Sequence, residues 1–246
     1  MTPGIVNFRD IGGCATRDGG VVATGVIYRS GALDGMSADD SATYAALRIQ
    51  TVLDLRSDTE CARRPGLPGS RHIALSGPPA AGHPPRTAAE GVRRLRDVYC
   101  GVLDHASGGI GMVFRAIAAP GALPAVVHCH AGKDRTGVVV ALLLELVGVE
   151  RTIVLDEYAR SAPLGRDDDD SYQRMIANGY GEAAASAMLA PSRRALREAL
   201  EHLDRDWGGT ERYLVEAAGV DPGTLRVVRD RLVAHTDAAT LLSLQG

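Results

Sequence analysis

The stretch that decides the fold of this chain is HCHAGKDRTG, residues 128–137. A valine-rich apolar run, residues 125–127, precedes it, and a mostly apolar segment, residues 138–147, follows it. This order predicts a buried strand that turns directly into a buried helix. The first N–H groups of such a helix have no partner inside it, and the aligned peptide dipoles add partial positive charge there. We therefore expect the turn to bind an anion of the size of phosphate.

Two side chains suit such a site. A free thiol has a pKa of about 8.5, which a helix N-terminus and neighbouring basic groups lower to roughly 3.5 to 7.5. Cys129 is therefore expected to be a thiolate at neutral pH, at the mouth of the site. Arg135 follows six positions later, and its planar guanidinium can hold two oxygens of a phosphoryl group at once. Attack by Cys129 on a phosphate monoester would form a phosphocysteine, which water would then hydrolyse.

Other interpretations of the stretch fit less well. A cysteine at a strand end can be an inert core residue, but a turn and three charged residues follow this one. A zinc site formed by His128, Cys129 and His130 is disfavoured because neighbouring residues of a strand point to opposite faces. A nucleotide-binding loop would need Ser or Thr directly after Lys133, where Asp134 stands. We predict no metal and no cofactor.

The same residues carry a resemblance. The pattern C-x5-R-[ST] resembles that of cysteine-dependent protein tyrosine and dual-specificity phosphatases. The fuller string resembles a bacterial branch that includes mycobacterial tyrosine and lipid phosphatases. NFRDIGG, residues 7–13, and YRSG, residues 28–31, resemble the opening of that branch. The resemblance implies that Thr136 steadies the thiolate and helps to expel the sulfur, although a helix cap is the alternative. It also implies a phosphate-binding loop made of His130, Ala131, Gly132, Lys133, Asp134 and Arg135.

The proton donor to the leaving group is less obvious. In the larger phosphatase family it is an Asp on a mobile loop well before the cysteine, but this chain has no Asp between residues 75 and 96. Asp134 resembles the corresponding Asp of the bacterial branch and is the first candidate; Asp54 is the second. A carboxyl group donates at neutral pH only if burial or negative charge raises its pKa, and a bound phosphate dianion would do so. The alternative is that Asp134 only orients Arg135.

Several further residues are expected to support the site: His128, Arg9, Asp10, Arg29 and Arg56. We expect Arg9, Asp10 and Arg29 to form a buried salt-bridge frame rather than to contact substrate.

Two other positions are notable. Asp54 ends a predicted strand, and the carboxyl ends of parallel strands gather at one edge of a sheet, so it should lie near Cys129. Lys133 is the only lysine of the chain, which favours a compact ammonium at that position.

Strand and helix patterns alternate from residue 26 to residue 147. This predicts an α/β fold with a mostly parallel central sheet flanked by helices. With 246 residues, of which 45% are hydrophobic, one sizeable core is expected. We predict a single domain over residues 1–246, in which residues 150–235 form a helical C-terminal subregion. The resemblance implies a lid over Cys129, formed by residues 166–190.

Charge and segment composition exclude several classes. A net charge of −3 and a pI near 6.2 do not indicate a basic surface that would bind nucleic acid or an anionic membrane. The longest apolar run is too short to span a bilayer and contains Glu145. No signal peptide pattern is evident, so a cytoplasmic location is predicted. The other cysteines, Cys14, Cys61 and Cys100, are expected to be structural; the alternative is that Cys14 or Cys61 is a redox partner of Cys129.

The sequence leaves the substrate open. A phosphotyrosine protein, a phosphoinositide and a small phosphorylated metabolite or nucleotide all end in the same dianion, and the predicted loop recognises only that group. A phosphate-binding module without turnover is a further alternative, against which the intact Cys129 and Arg135 weigh. The oligomeric state is not predicted.

Overall fold

The structure is a computed structural model that describes residues 4–77, 82–162 and 170–234. Part of the predicted loop after residue 76, most of the acidic run at residues 166–170 and the predicted tail after residue 235 lie outside the described residues. The strands are β1 (Arg9–Asp10), β2 (Val21–Val22), β3 (Ile27–Ser30), β4 (Thr51–Asp54), β5 (Arg71–His72), β6 (Ala125–His128) and β7 (Val233–Ala234). The helices are α1 (Ala38–Ala46), α2 (Asp58–Arg63), α3 (Ala88–His105), α4 (Ser107–Ala118), α5 (Asp134–Leu146), α6 (Arg151–Ala159), α7 (Asp170–Ala177), α8 (Glu182–Leu189), α9 (Arg193–Trp207), α10 (Thr210–Glu216) and α11 (Pro222–Leu232).

The central sheet has the strand order β1-β3-β6-β4-β5, in which only β1 runs antiparallel to its neighbour. The predicted α/β fold with a mostly parallel sheet is confirmed. In the register, Ser30 of β3 and Asp54 of β4 both lie opposite His128, the last residue of β6. The carboxyl ends of the three central strands therefore meet at one place, directly before the loop that follows β6.

The strand β6 and the helix α5 form the centre of the core. Every residue of β6 is buried, as are ten of the thirteen residues of α5. Residues 138–144 of α5 are all apolar, so every side of this part of the helix must be packed against other elements. All seven residues are buried. It ends before Gly148, whose φ of +85° is the left-handed conformation typical of a helix C-terminus.

The C-terminal helices belong to the same core. Buried residues of α9, α10 and α11 share one hydrophobic cluster with β6 and α5. The helix α8 packs closely on α3, since a Cβ on Gly91 would lie 2.6 Å from the carbonyl oxygen of Ala184.

Two features were missed by the sequence analysis. The helix α4 was not predicted, because three of its first five residues are glycines, which have low helix propensity. The ribbon of β2 and β7 joins dipeptides from opposite ends of the chain, and no local pattern indicates such a pairing. Within the described ranges, no helix is long and apolar enough to cross a membrane.

Gly132 is the residue at which the loop after β6 passes closest to β3. Its φ is +65°, and a Cβ there would lie 2.4 Å from the backbone of Ser30 and Gly31. Real Cβ contacts are never so short, so only glycine allows the loop to lie against the end of β3. The close approach holds the loop in its observed path.

We expect Gly132→Ala to lower the free energy of unfolding by about 3 kcal/mol or more, since overpacking of about 1–3 kcal/mol adds to backbone strain. Gly121→Ala is the control: its φ of +68° is nearly the same, but nothing lies within 4 Å of its Cβ position. The control should cost only about 1 kcal/mol. Urea denaturation measures both, and equal losses would contradict the importance of the close approach.

Candidate active site

Residues 129–133 form the loop between β6 and α5. Each of their backbone carbonyl oxygens accepts a hydrogen bond from a group outside the loop or at one of its ends. Five donors supply these bonds: His128 Nδ1 to Cys129 O at 3.3 Å, Ala32 N to His130 O at 2.9 Å, Asn7 Nδ2 to Ala131 O at 2.8 Å, Arg29 Nη2 to Gly132 O at 2.6 Å and Gly137 N to Lys133 O at 2.8 Å. The donors come from β6, the chain after β3, the N-terminal segment, β3 itself and α5. The conformation of the loop is therefore set by much of the fold.

The same bonds decide where the loop N–H groups point. In a trans peptide the N–H lies opposite the carbonyl oxygen, so carbonyls that are turned toward the scaffold leave the following N–H groups facing the other way. Among the described residues, no acceptor is found for the N–H groups of residues 131–136. These groups and the start of α5 form a cradle of partial positive charge, which suits a phosphoryl group.

Cys129 lies at the start of this loop and is buried, with 1% of its surface exposed. Its side chain packs into the main core cluster, so the sulfur of the expected nucleophile is not exposed at the protein surface. Burial by itself lowers the pKa of Arg135, but the Glu60 carboxylate and the proximity of Cys129 raise that pKa further than burial lowers it. The sulfur and the guanidinium are thus within electrostatic reach of each other.

Glu60 holds Arg135 in place and was missed by the sequence analysis. Arg135 Nη1 donates to Glu60 Oε2 at 2.5 Å, and Nη2 donates to Oε1 at 2.7 Å. Glu60 also accepts from the backbone N–H of Ser57 at 2.7 Å, completing a capping box at the start of α2. The Ser-x-x-Glu spacing after a strand signalled the cap, but nothing in the sequence indicated that the same carboxylate would bind Arg135.

The Glu60 contact leaves one edge of Arg135 available. The two terminal nitrogens face Glu60, and Nη1 also donates to the carbonyl oxygen of Leu55 at 3.4 Å. The side-by-side pair of Nε–H and the second Nη2–H is the remaining edge, for which no acceptor is found among the described residues. That pair has the spacing of two phosphoryl oxygens, so Arg135 is oriented for bidentate binding.

Asp134 is the first residue of α5 and accepts a hydrogen bond from a buried tyrosine. Tyr99 Oη donates to Asp134 Oδ1 at 2.6 Å, and Lys133 Nζ lies 3.4 Å from the same oxygen. The side chain of Asp134 is 31% exposed, so it faces the solvent side of the loop as well as the protein.

Lys133 points toward α8. Its side chain is 2% exposed, and Nζ donates to the carbonyl oxygens of Met188 at 2.5 Å and Ala190 at 3.2 Å. The carbonyls at a helix C-terminus lack partners within the helix and carry partial negative charge, so an ammonium group binds there favourably. This contact ties the phosphate-binding loop to the predicted lid.

Asp54, the second candidate for the proton donor, is buried in an ion pair. Its carboxylate accepts from Arg56 Nε at 2.9 Å and from Nη2 at 2.7 Å. Burial by itself raises the pKa of Asp54, but the bonds from Arg56 and the proximity of His128 outweigh that effect and lower it. Asp54 is therefore a carboxylate that is bound to Arg56, and the geometry does not support a role as an acid.

His128 and Thr136 are both buried beside the loop. Burial lowers the pKa of His128, so the ring is neutral and its Nδ1–H donates to the carbonyl of Cys129. Thr136 Oγ1 has no hydrogen-bond partner among the described residues. The alternative in which Thr136 caps α5 is wrong, because no side chain caps this helix and Lys133 holds the cap position.

A buried ion-pair frame lies under the loop, as predicted, but its acid is Glu157. Arg9 Nε lies 2.7 Å from Glu157 Oε1, and Arg29 Nη1 lies 2.6 Å from Oε2. The prediction was wrong for Asp10, whose carboxylate accepts from the backbone N–H groups of Gly12 and Gly25 instead. The periodicity of α6 gives no sign that Glu157 faces inward.

The remaining cysteines are all unbridged. Burial raises the pKa of the thiols of Cys14 and Cys61, and raises that of Cys100 to about 11. They are weaker nucleophiles at neutral pH for that reason. In the part of the chain that the structure describes, no group of three or more His, Cys, Asp and Glu side chains is arranged to hold a metal ion.

Comparison with known proteins agrees with this site. The model of the tyrosine phosphatase family matches residues 1–234. The chain belongs to this family. It is a cysteine-based phosphoric monoester hydrolase, as the resemblance of residues 128–137 implied.

Three proteins with known names are similar to this chain. A relative from Cupriavidus necator, which carries the provisional name of a tyrosine-protein phosphatase, is 29% identical over 244 residues, covering 90% of this chain and 85% of the relative. The triple specificity protein phosphatase PtpB of Mycobacterium tuberculosis is 32% identical over 192 residues, covering 65% of this chain and 67% of PtpB. Among solved structures, the catalytic domain of the PP-IP phosphatase Siw14 from S. cerevisiae has a TM-score of 0.40, 20% identity and coverage of 72% of this chain and 93% of that domain.

The pH dependence of stability tests the Glu60–Arg135 pair. Burial by itself raises the pKa of Glu60, but Arg135 and Ser57 lower it from 4.5 to about 2. A carboxylate whose pKa is lower in the folded state than in the unfolded state stabilises the fold at a pH above the unfolded-state pKa. This contribution is lost as the pH falls to the folded-state pKa. We therefore expect the free energy of unfolding of the phosphatase to decrease between pH 4.5 and about 2 by on the order of 2–3 kcal/mol more than that of Glu60→Gln.

Urea denaturation as a function of pH measures this difference. Glu201→Gln, an exposed carboxylate on α9, is the control and should follow the wild type. Parallel curves for the wild type and Glu60→Gln would show that the pair makes no net contribution.

Proposed function

We propose that the phosphatase removes phosphate from phosphotyrosine in proteins, through a phosphocysteine on Cys129. The single observation that supports the phosphatase chemistry most directly is the loop after β6. Its five carbonyl groups are held outward, which leaves inward N–H groups where a phosphoryl group must bind. The depth of Cys129 favours a phosphate on a flat, slender aromatic stem over one on a short aliphatic stem. The name of the mycobacterial relative, a triple specificity protein phosphatase, supports a protein substrate.

In the first step, Cys129 Sγ attacks phosphorus as the bond to the ester oxygen breaks. The loop N–H groups and the free edge of Arg135 bind the non-bridging oxygens, which carry most of the charge of the transition state. Asp134 donates a proton to the departing tyrosine oxygen. Glu60 contributes by keeping the guanidinium of Arg135 in the binding orientation before substrate arrives, so that little reorganisation is needed.

In the second step, water replaces the thiolate. Asp134, now a carboxylate, takes a proton from the attacking water, and the phosphorus–sulfur bond breaks. The unpartnered hydroxyl of Thr136 is the donor that we propose for the leaving thiolate. Neither step requires a metal ion or a cofactor.

We propose Asp134, rather than Asp54, as the acid. Asp134 is partly exposed at the start of α5, next to the guanidinium of Arg135, whereas the carboxylate of Asp54 is enclosed by Arg56. A bound phosphate dianion beside Asp134 would favour its protonated form.

We further propose that residues 170–190 limit access to the loop. The helices α7 and α8 pack together around Tyr172 and Leu189, and α8 is held to the loop by Lys133. We also propose a cytoplasmic location, a single domain over residues 1–246, and an activity on phosphoserine and phosphothreonine that is weaker than the activity on phosphotyrosine. A thiolate nucleophile stays active in a reducing compartment, which supports the first of these.

Phosphate release from a substrate panel tests the function. We expect a phosphotyrosine peptide to be hydrolysed at least about 10-fold faster than a phosphoinositide or a sugar phosphate at equal concentration, because an aromatic stem reaches the buried sulfur and each factor of ten needs only about 1.4 kcal/mol. Cys129→Ser should abolish release from every substrate, while Cys61→Ser retains it. Faster release from the phosphoinositide or the sugar phosphate would overturn the proposed substrate class.

The leaving-group dependence of Asp134→Asn tests the acid. A general acid contributes roughly 10²–10⁴-fold, and this contribution is greatest when the leaving oxygen is strongly basic. We expect Asp134→Asn to lower kcat/KM about 100-fold for an alkyl phosphate and much less for p-nitrophenyl phosphate. Asp39→Asn, an exposed residue of α1, is the control. Undiminished hydrolysis of the alkyl phosphate by Asp134→Asn would contradict the assignment.

A further inference from the structure

Two buried tyrosines connect Asp134 with the start of α9. Tyr99 Oη, on α3, lies 2.6 Å from Asp134 Oδ1, and Tyr158 Oη, on α6, lies 2.5 Å from Tyr99 Oη. At the far end, the backbone N–H of Ser192 donates to Tyr158 Oη at 3.2 Å. Three helices thus contribute to one chain of hydrogen bonds that ends on the proposed acid.

The direction of this chain follows from the groups at its end. Tyr99 donates its single hydroxyl proton to Asp134 Oδ1, so it cannot also donate to Tyr158. The oxygen of Tyr158 accepts from the N–H of Ser192, which can only donate, and its own proton is directed to Tyr99. The oxygen of Tyr99 accepts that bond, and its proton is directed to Asp134 Oδ1. Every proton of the chain therefore points toward Asp134, and Oδ1 serves only as an acceptor.

Both hydroxyls keep their protons at neutral pH. Burial, and next the nearby charge of Asp134, raise the pKa of Tyr99 and that of Tyr158 well above the ordinary tyrosine value. The two rings also hold each other in place, edge to face, with centroids 6.1 Å apart. Gly137 leaves the space for this packing, because a Cβ there would lie 2.8 Å from the ring of Tyr158.

We propose that Tyr99 is a positioning residue for the acid, with Tyr158 as its support, and that the pair commits Asp134 to donating from Oδ2. The inference rests on the proposed role of Asp134. With Oδ1 occupied by the Tyr99 proton, the proton of the carboxyl group resides on Oδ2. Oδ2 transfers it to the ester oxygen, which takes the electron pair of the broken phosphorus–oxygen bond. In the second step the same oxygen accepts the proton of the attacking water.

The charges around Asp134 set the expected pH effect. Tyr99 and Tyr158 approach from α3 and α6, Lys133 Nζ lies 3.4 Å from Oδ1, and Arg135 follows directly in α5. The hydroxyl of Tyr99 donates to Oδ1, and a hydrogen bond that is donated to a carboxylate favours its charged form. Removing the Tyr99 hydroxyl therefore keeps the acid protonated to higher pH, while the carboxyl group loses its fixed orientation.

The experiment measures kcat/KM for an alkyl phosphate as a function of pH in the wild type, Tyr99→Phe and Tyr158→Phe. We expect Tyr99→Phe to lower kcat/KM about 10-fold through misplacement of the acid, and to move the descending limb to higher pH by about one unit. Tyr158→Phe should shift the limb in the same direction by a smaller amount. Tyr213→Phe is the control, since it removes another buried tyrosine hydroxyl, which donates to Leu103 O at 2.7 Å and lies on α10.

Three results separate the possibilities. If Tyr99→Phe lowers kcat/KM without moving the descending limb, and Tyr158→Phe also leaves the limb unmoved, the proposal is overturned, because a purely structural loss does not change the pH profile. In the Asp134→Asn background, Tyr99→Phe should have no further effect, and a full additional 10-fold loss there would also overturn it. A larger loss of kcat/KM for the alkyl phosphate than for p-nitrophenyl phosphate in Asp134→Asn, together with an unmoved limb in both tyrosine variants, would retain the proposed acid and reject only the positioning role.

Discussion

The structure depends on the outward anchoring of the carbonyl groups in the loop after β6. Each carbonyl of residues 129–133 accepts a bond from a scaffold group, and the N–H groups are left to line a cradle at the start of α5. A loop with unanchored carbonyls could rotate its peptides and lose the cradle. The close contact of Gly132 with the end of β3 also holds the loop in this conformation, because it fixes the loop against the sheet. Preorganised N–H groups of this kind stabilise charge without reorganising during the reaction.

Two ion pairs maintain the arginines that serve this loop. Glu157 neutralises Arg29, which is fully buried and donates to the carbonyl of Gly132. Glu60 binds the two terminal nitrogens of Arg135 and leaves the edge formed by Nε–H and the second Nη2–H for substrate. Removing one partner of such a pair leaves an uncompensated charge in a poorly solvated place, at a typical cost of about 3–5 kcal/mol when the pair is buried. The pairs therefore give the loop its orientation more than they add to net stability.

The C-terminal helices take part in the site as well as in the core. Lys133 bonds the last carbonyls of α8, and the hydrogen bonds of Tyr158 connect the N-terminus of α9 with Asp134 through Tyr99. The helices that follow α5 therefore hold both residues at the end of the loop. Buried residues of α9, α10 and α11 also share the main hydrophobic cluster with β6 and α5.

The sequence by itself determined the strand, loop and helix around residues 128–137, the positions of Cys129 and Arg135, and the parallel sheet, because local periodicity, turn residues and spacing carry that information. It did not show that Glu60, Glu157 and Tyr99 face the loop. Each of these lies on a helix at least 35 residues from its partner along the chain, in a pattern that fits an exposed or an ordinary core position equally well. Which side chain meets which loop atom was decided only when the helices packed on the sheet, since those contacts follow from the three-dimensional placement of helices and not from any local preference of the chain.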